Sequence, residues 1–395
     1  MRPNLLVRKL ATVRVALLIG ALLSAVRLSP VHADQGGIPA QVAALQQAVQ
    51  VLQQQVGALN TAITRLTAVV GSQSQLIGQL QQQNQALAAT LGCVSPTSTK
   101  TDLYFDGCNV HIVSGSGATD GAVNGLGNLI IGYNEDAASV LSIDGQFDNP
   151  PSKRGGSHNL IVGPGHSYTS YGGLVAGYVN TLIGTYATVS GGAQNSAGLG
   201  AVAPYASVSG GLNNIADAFA SSVSGGIGNI AQGNTSSISG GRGNRANEPS
   251  SSVSGGSGNT ANGENSSISG GSQNIAFGDR SSISGGEGNK TLGDAGHVTG
   301  GFGNSAGDHC SVSGGFGNSA GGFYTSVSGG SGNSAHGFYS SVSGGQGNTT
   351  TGQYSSISGG QGNTASGQYS SVSGGQSRTA PNDFNWAAGA LLQSQ

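Results

Sequence analysis

The sequence predicts a mainly β protein: a parallel β-roll (solenoid) of about 16 coils of 14–15 residues, preceded by a long α-helical coiled coil. Two periodicities carry that prediction. The first is a motif repeated thirteen times between 189 and 375, an aliphatic residue, then Ser or Thr, then Gly-Gly. Its anchors are Val189, Val208, Val223, Ile238, Val253, Ile268, Ile283, Val298, Val312, Val327, Val342, Ile357 and Val372. Neighbouring anchors lie 15 residues apart, except for 19 at the first step and 14 between Val298 and Val312. Asn stands six residues after every anchor but the last, where Arg378 replaces it; Ala usually follows at eight and Gly at ten, as Ala261 and Gly263 follow Val253. A fixed short period of this kind means stacked coils, each touching only its neighbours. The second periodicity is a heptad pattern that runs before the repeats.

Residues 1–33 read as a secretory signal peptide. Arg2, Arg8, Lys9 and Arg14 form its basic front, Val15 to Val26 its apolar segment, and Val31-His32-Ala33 a small-x-small cleavage site. The apolar run is short for a membrane span, so the mature chain is expected to have none. The whole sequence carries 14 basic and 16 acidic side chains. Cleavage would remove five of the basic ones (Arg27 is the fifth), leaving nine against 16. A sparse, mildly acidic surface argues against nucleic acid as a partner.

Residues 34–92 form the expected rod. Its a positions are Val42, Val49, Val56, Ile63, Val70, Ile77, Asn84 and Leu91, and its d positions Leu45, Leu52, Leu59, Leu66, Gln73, Leu80 and Leu87. Strict 3–4 spacing over seven heptads gives a coiled coil of ~75 Å at ~1.5 Å per residue. Arg65 is the only charge between Asp34 and Lys100, so charged flanking pairs cannot select a partner. β-Branched residues at a with Leu at d, plus Asn84, favour two strands.

Residues 93–128 are a junction in which Leu103-Tyr104-Phe105 and Val110-His111-Ile112 suggest short strands. Cys93 and Cys108 are disulfide candidates, either with each other or between chains at the end of the rod. Cys310, left over inside the repeats, reads as a buried or stacked thiol.

The roll spans 129–380. Each coil holds two half-copies of one pattern: Ser252-Val253-Ser254-Gly255 and Thr260-Ala261-Asn262-Gly263. Two short strands per coil, with one apolar side chain inward from each and Gly-rich corners between, make a flat two-sided roll. Leu129, Leu160 and Leu174, each with Gly three residues on, extend the anchor column backwards. The loop near 135–156 is an insertion into the first of these coils, and a smaller one at 199–203 explains the 19-residue step. Residues 381–395, with Phe384, Trp386 and Leu391-Leu392, form a C-terminal cap over the open sheet edge.

The repeat Ser-Val-Ser-Gly-Gly followed by Asn-x-Ala-x-Gly resembles the head repeat of trimeric autotransporter adhesins (the YadA-like head). Leu129-Ile130-Ile131-Gly132 and Leu160-Ile161-Val162-Gly163 come nearest to that family's form. The resemblance covers about 129–380. It implies a left-handed parallel β-roll assembled as a homotrimer on a coiled-coil stalk, displayed outside the cell. The chain departs from the family in three ways: the rod comes first, nothing after Val372 could form the family's membrane barrel strands, and the family's Ile is Gly in all thirteen copies, as at Gly255 and Gly329. The rod's preference for a dimer and the family's trimer both stand as expectations.

No catalytic, cofactor or metal constellation emerges, so the chain is read as a non-enzyme with no cofactor. Gly286-Glu287-Gly288 lacks the strand and helix of a phosphate loop. His309-Cys310 lacks further ligands, and Asn234-Thr235-Ser236 is uninformative in a chain this rich in Asn and Ser. Two columns remain as surfaces. Tyr324, Tyr339, Tyr354 and Tyr369 each stand three residues before an anchor on consecutive coils, as do Tyr171, Tyr186 and Tyr205 earlier. Stacked ~4.8 Å apart, they read either as a self-stabilising ladder or as a stripe for an extracellular matrix protein or glycan. Ser-x-Ser flanks each anchor, as at Ser252 and Ser254. The expected function is a secreted, adhesin-like fibrous protein for surface attachment or biofilm matrix, with a structural spacer and an ice-binding roll as the alternatives.

Overall fold

The computed structural model describes residues 37–96, 101–146, 148–199, 203–389 and 391–393. The expected signal peptide lies outside the described residues, as does part of the 199–203 insertion. The chain divides into two compact units, Met1–Val110 and His111–Gln395.

The first unit is dominated by one uninterrupted helix, Ile38–Thr90, with Pro39 in its first turn, where a missing N–H costs nothing. Leu91 N–H closes the last turn on Leu87 O, and the chain leaves at Gly92. Thr61, Thr64, Thr67 and Ser74 hydroxyls donate back to the carbonyl four residues earlier, so their polar groups are satisfied within the helix. Not one residue of this helix is buried, the heptad positions included. No helix among the described residues is long and apolar enough to cross a membrane. Beyond it, Val94–Pro96 pairs antiparallel with Leu103–Phe105, and Cys93 and Cys108 are bonded across that hairpin within the chain. Val110-His111-Ile112 forms no strand.

The second unit is a parallel β-solenoid. Ser207–Val208 pairs in register with Thr188–Val189 before it and Ser222–Val223 after it, and this pairing repeats coil by coil to Ser371–Gly374. A second, 15-stranded sheet carries the other half of each coil, from Ser167–Tyr168 to Thr379–Ala380. Every parallel pairing joins one coil to the next, so neither sheet closes into a barrel. The sequence suggested about 16 coils; 15 carry both strands. The first strand, Leu129–Ile131, pairs with Leu160–Val162, but the 135–156 insertion stands where its second strand would be.

The core is two files thick. Val253, Ile268 and Ile283 from one sheet meet Ala246, Ala261 and Ala276 from the other, all 1 % exposed or less. Burying one Val or Ile contributes ~1.5–3 kcal/mol, which is small against ~1–2 kcal/mol of backbone entropy for each of a coil's residues. The polar interior adds hydrogen bonds to the apolar files. Asn259 accepts the Asn274 N–H on its Oδ1 (3.0 Å) and donates through Nδ2 to Gly255 O (2.9 Å) and Gly271 O (3.0 Å). The same three bonds recur at each Asn from Asn195 to Asn348, and the ladder ends where Arg378 N–H donates to Asn363.

The early coils correct one alignment. Leu129, Leu160 and Leu174 are not the inward anchors; they lie in register with Thr188, while Ile161 and Val175 align with Val189 and are fully buried. The reason is a missing corner residue. After Val189 come Ser190, Gly191 and Gly192, whereas only Ala176 separates Val175 from Gly177. Alignment on the glycines therefore slips the strand by one place, and in a strand one place exchanges inside for outside.

The far end is closed by a change of direction. Trp386–Ala388 continues the parallel ladder from Ser371–Gly374, and Leu391–Gln393 then pairs antiparallel with it. Trp386 Nε1–H donates to Ser373 Oγ at 2.7 Å. The turned-back strand covers an edge that would otherwise offer unpaired amides to another sheet.

Candidate functional site

The roll's interior is filled by its own side chains, so a site can only be built on its corners and faces. The position three residues before each anchor is left-handed in coil after coil, with φ of 56–58° at Tyr324, Tyr339, Tyr354 and Tyr369. A non-Gly residue there costs on the order of 1–2 kcal/mol. The corner is held by hydrogen bonds from Tyr339 N–H to Phe323 O, Tyr354 N–H to Phe338 O and Tyr369 N–H to Gln353 O (2.8–3.0 Å). Stacking offsets the strain further, at ~0.5–1.5 kcal/mol per aromatic pair.

The four predicted tyrosines come together as one file. Their ring centroids lie 5.2, 5.1 and 5.0 Å apart with interplanar angles of 8°, 6° and 5°. The file is longer than the tyrosines: Phe384 stacks on Tyr369 at 5.2 Å, and His309 on Tyr324 at 4.9 Å. The four rings remain 43–48 % exposed. Because each face covers the next, the file presents ring edges and phenol hydroxyls to solvent. A sugar platform needs open ring faces, and here His309 and Phe384 cover those at the two ends. The earlier tyrosines are less regular. Tyr186 and Tyr205 stack at 5.7 Å and 10°, whereas Tyr171 meets Tyr186 edge-on. Burial, and then Tyr171, raise the Tyr186 phenol above its usual range.

Two features of the corners were not read from the sequence. On the coils before the tyrosine file, one position earlier in the corner, runs an acidic one, in which Glu264 N–H donates to Asp279 Oδ1 (2.8 Å), Asp279 N–H to Asp294 Oδ1 (3.0 Å) and Asp294 N–H to Asp308 Oδ1 (2.9 Å). One oxygen of each Asp carboxylate is thus taken by an amide of the preceding coil's corner; the recurrence of these acids at the repeat interval was the available signal. The second feature is His166, 1 % exposed, which takes the place of Asn at the head of the ladder. Its Nδ1 accepts Asn180 N–H at 3.1 Å, and Nε2 bonds Val162 O at 3.0 Å. Burial lowers its pKa. No periodic signal marks a His that substitutes for an amide.

The insertion lies against the roll, with Tyr178 Oη donating to Leu141 O. Asp136 accepts Ala138 and Ser152 N–H groups and pairs with Arg154 at 3.2 Å; the backbone bonds first, and the guanidinium after them, lower its pKa. A shallow groove of about 270 Å³ runs between the insertion and the roll, lined by Ser142, Asp144, Asp148, Gln194 and Asn213. Among the described residues no three His, Cys, Asp or Glu side chains gather to hold a metal ion. Cys310 is buried in the serine column behind the tyrosine corner, 3.0 Å from Thr325 Oγ1.

In class, then, the chain is a parallel β-solenoid of about 15 coils following a long exposed helix. No protein-family model matches it, and no curated protein matches it either.

Proposed function

We propose that this protein is a secreted, non-enzymatic fibrous protein of the adhesin type, in which the helices of three copies wind into a parallel coiled coil and the rolls form the displayed part. One observation carries the reading: the helix Ile38–Thr90 leaves its entire heptad seam in water, with Leu45 70 % and Leu66 66 % exposed. An apolar seam of this length has no partner among the described residues of its unit, and another copy of the same seam is its natural complement. The second support is the interior of the roll, which is packed and leaves the outer faces and corners as the working surface. The resemblance of the repeats to trimeric autotransporter adhesin heads favours three copies over two, a left-handed roll, and attachment as the task.

Light scattering on the mature chain tests the assembly: three chain masses are expected, and a single chain mass overturns the proposal. Binding of the purified protein to matrix proteins, to glycan arrays and to its own cells tests attachment. Failure in all three with the trimer intact would leave a structural spacer.

A further inference from the structure

We propose that the file Tyr324–Tyr339–Tyr354–Tyr369 is a site of oxidative cross-linking, where neighbouring tyrosines of one chain join as dityrosine and fasten successive coils covalently. The rings are held parallel at 5.0–5.2 Å, in register and about half exposed. Permanent juxtaposition turns an encounter between two phenols into a local event, which is where proximity gives its largest rate advantage. Each phenol lies at a corner, so an outward swing about its side-chain torsions can bring two ortho carbons together without disturbing the buried files.

The chemistry balances with a peroxide as oxidant, delivered by a peroxidase-type catalyst. Two phenols each give up one electron and one proton, forming two phenoxyl radicals. The radicals couple through the carbons ortho to oxygen, making one C–C bond. The hydrogens on those carbons then move to the two oxygens, restoring both aromatic rings. Hydrogen peroxide accepts the two electrons and two protons and leaves as two waters. The stack also limits the product. His309 at one end and Phe384 at the other cannot form this link, so with each phenol oxidised once the file yields two links per chain, 324–339 with 354–369, or a single one at 339–354. The bonded Cys93–Cys108 pair suits a compartment where such oxidation occurs.

The test treats the full mature chain with hydrogen peroxide and a haem peroxidase, follows dityrosine fluorescence, and maps linked peptides by mass. The expected result is loss of two hydrogens per link, heterotypic peptides joining Tyr324 to Tyr339, Tyr339 to Tyr354 or Tyr354 to Tyr369, and migration at one chain mass under denaturing conditions. The double variant Tyr339→Phe, Tyr354→Phe keeps the rings stacked but leaves Tyr324 and Tyr369 three coils apart, so links from this file should vanish. Any link at Tyr186–Tyr205 is separated by the mapping and serves as an internal control. Unchanged total yield in the double variant would overturn the proposal, as would products that are mainly homotypic between chains or centred on the exposed Tyr133.

Discussion

The helix and the roll solve opposite halves of the same problem. The helix Ile38–Thr90 satisfies its backbone locally and buries nothing, whereas the roll buries its small apolar files but satisfies almost no backbone group within a single coil. A helical segment is thus locally complete in hydrogen bonds and incomplete in burial. A coil is the reverse: Ser252 N–H bonds Ser266 O and Ser254 N–H bonds Ile268 O, each on the following coil. On the reading proposed above the helix would find its burial against sister chains, whereas each coil finds its hydrogen bonds on its neighbours in the same chain.

A charge placed in each region sharpens that difference most. Val253→Asp puts a carboxylate between buried files and should cost ~4 kcal/mol or more. Hydrogen exchange should show several coils around 253 opening while the helix keeps its circular dichroism. Leu59→Asp should do the converse, breaking the oligomer in light scattering while exchange protection in the roll is unchanged. Loss of the roll in that second variant would mean that the roll too depends on sister chains.

Adjacent glycines should then part in sign. At Gly256 φ is +87°, and a Cβ would lie 2.1 Å from Gly271 O, so Gly256→Ala should destabilise by ~3 kcal/mol or more. At Gly255 a Cβ would meet nothing within 4 Å, and Gly255→Ala should stabilise by ~0.5 kcal/mol through the unfolded chain. Thermal melts of the two variants decide it; equal effects would refute the corner geometry.

Asn259→Ala removes three bonds and strands the Asn274 N–H, with an expected cost of ~3 kcal/mol, read as faster exchange at residue 274. His166 makes the first rung of the ladder titratable. Its folded pKa lies below the ordinary 6.5, so on acidification the unfolded state takes up the proton first. The stability this rung contributes is full above about pH 6.5 and is lost progressively below it. The protection factor of the Asn180 amide, exchange corrected for its intrinsic pH dependence, should therefore fall between pH 7 and pH 5, and His166→Asn should abolish that fall. The smallest effect belongs to Ser254→Ala, an exposed hydroxyl, expected within ~0.5 kcal/mol of zero.

Much of this was legible because repetition amplifies weak local signals. One Val-Ser-Gly-Gly means little; thirteen at a fixed interval define inward and outward positions, and Val253, Ala261 and Asn259 are buried as that alternation requires. Where the interval changed, legibility failed. With one corner residue fewer, Leu160 and Leu174 looked like anchors, and only the pairing of Leu174 with Thr188 put Val175 inside. The aromatic file was visible as a column of tyrosines, but its ends were not, because His309, though three residues before Val312, is not a tyrosine and Phe384 lies past the last motif.

Residue order alone settled the period, the helix and the two inward files, since all three follow from side-chain spacing along a regular backbone. Tertiary structure decided which glycine of each pair is indispensable, that His166 stands in for an amide, and that the tyrosine rings cover one another's faces. The physical reason is common to all three. Each depends on the distance between atoms of neighbouring coils, about fifteen residues apart in sequence, and spacing within one coil carries no information about that distance.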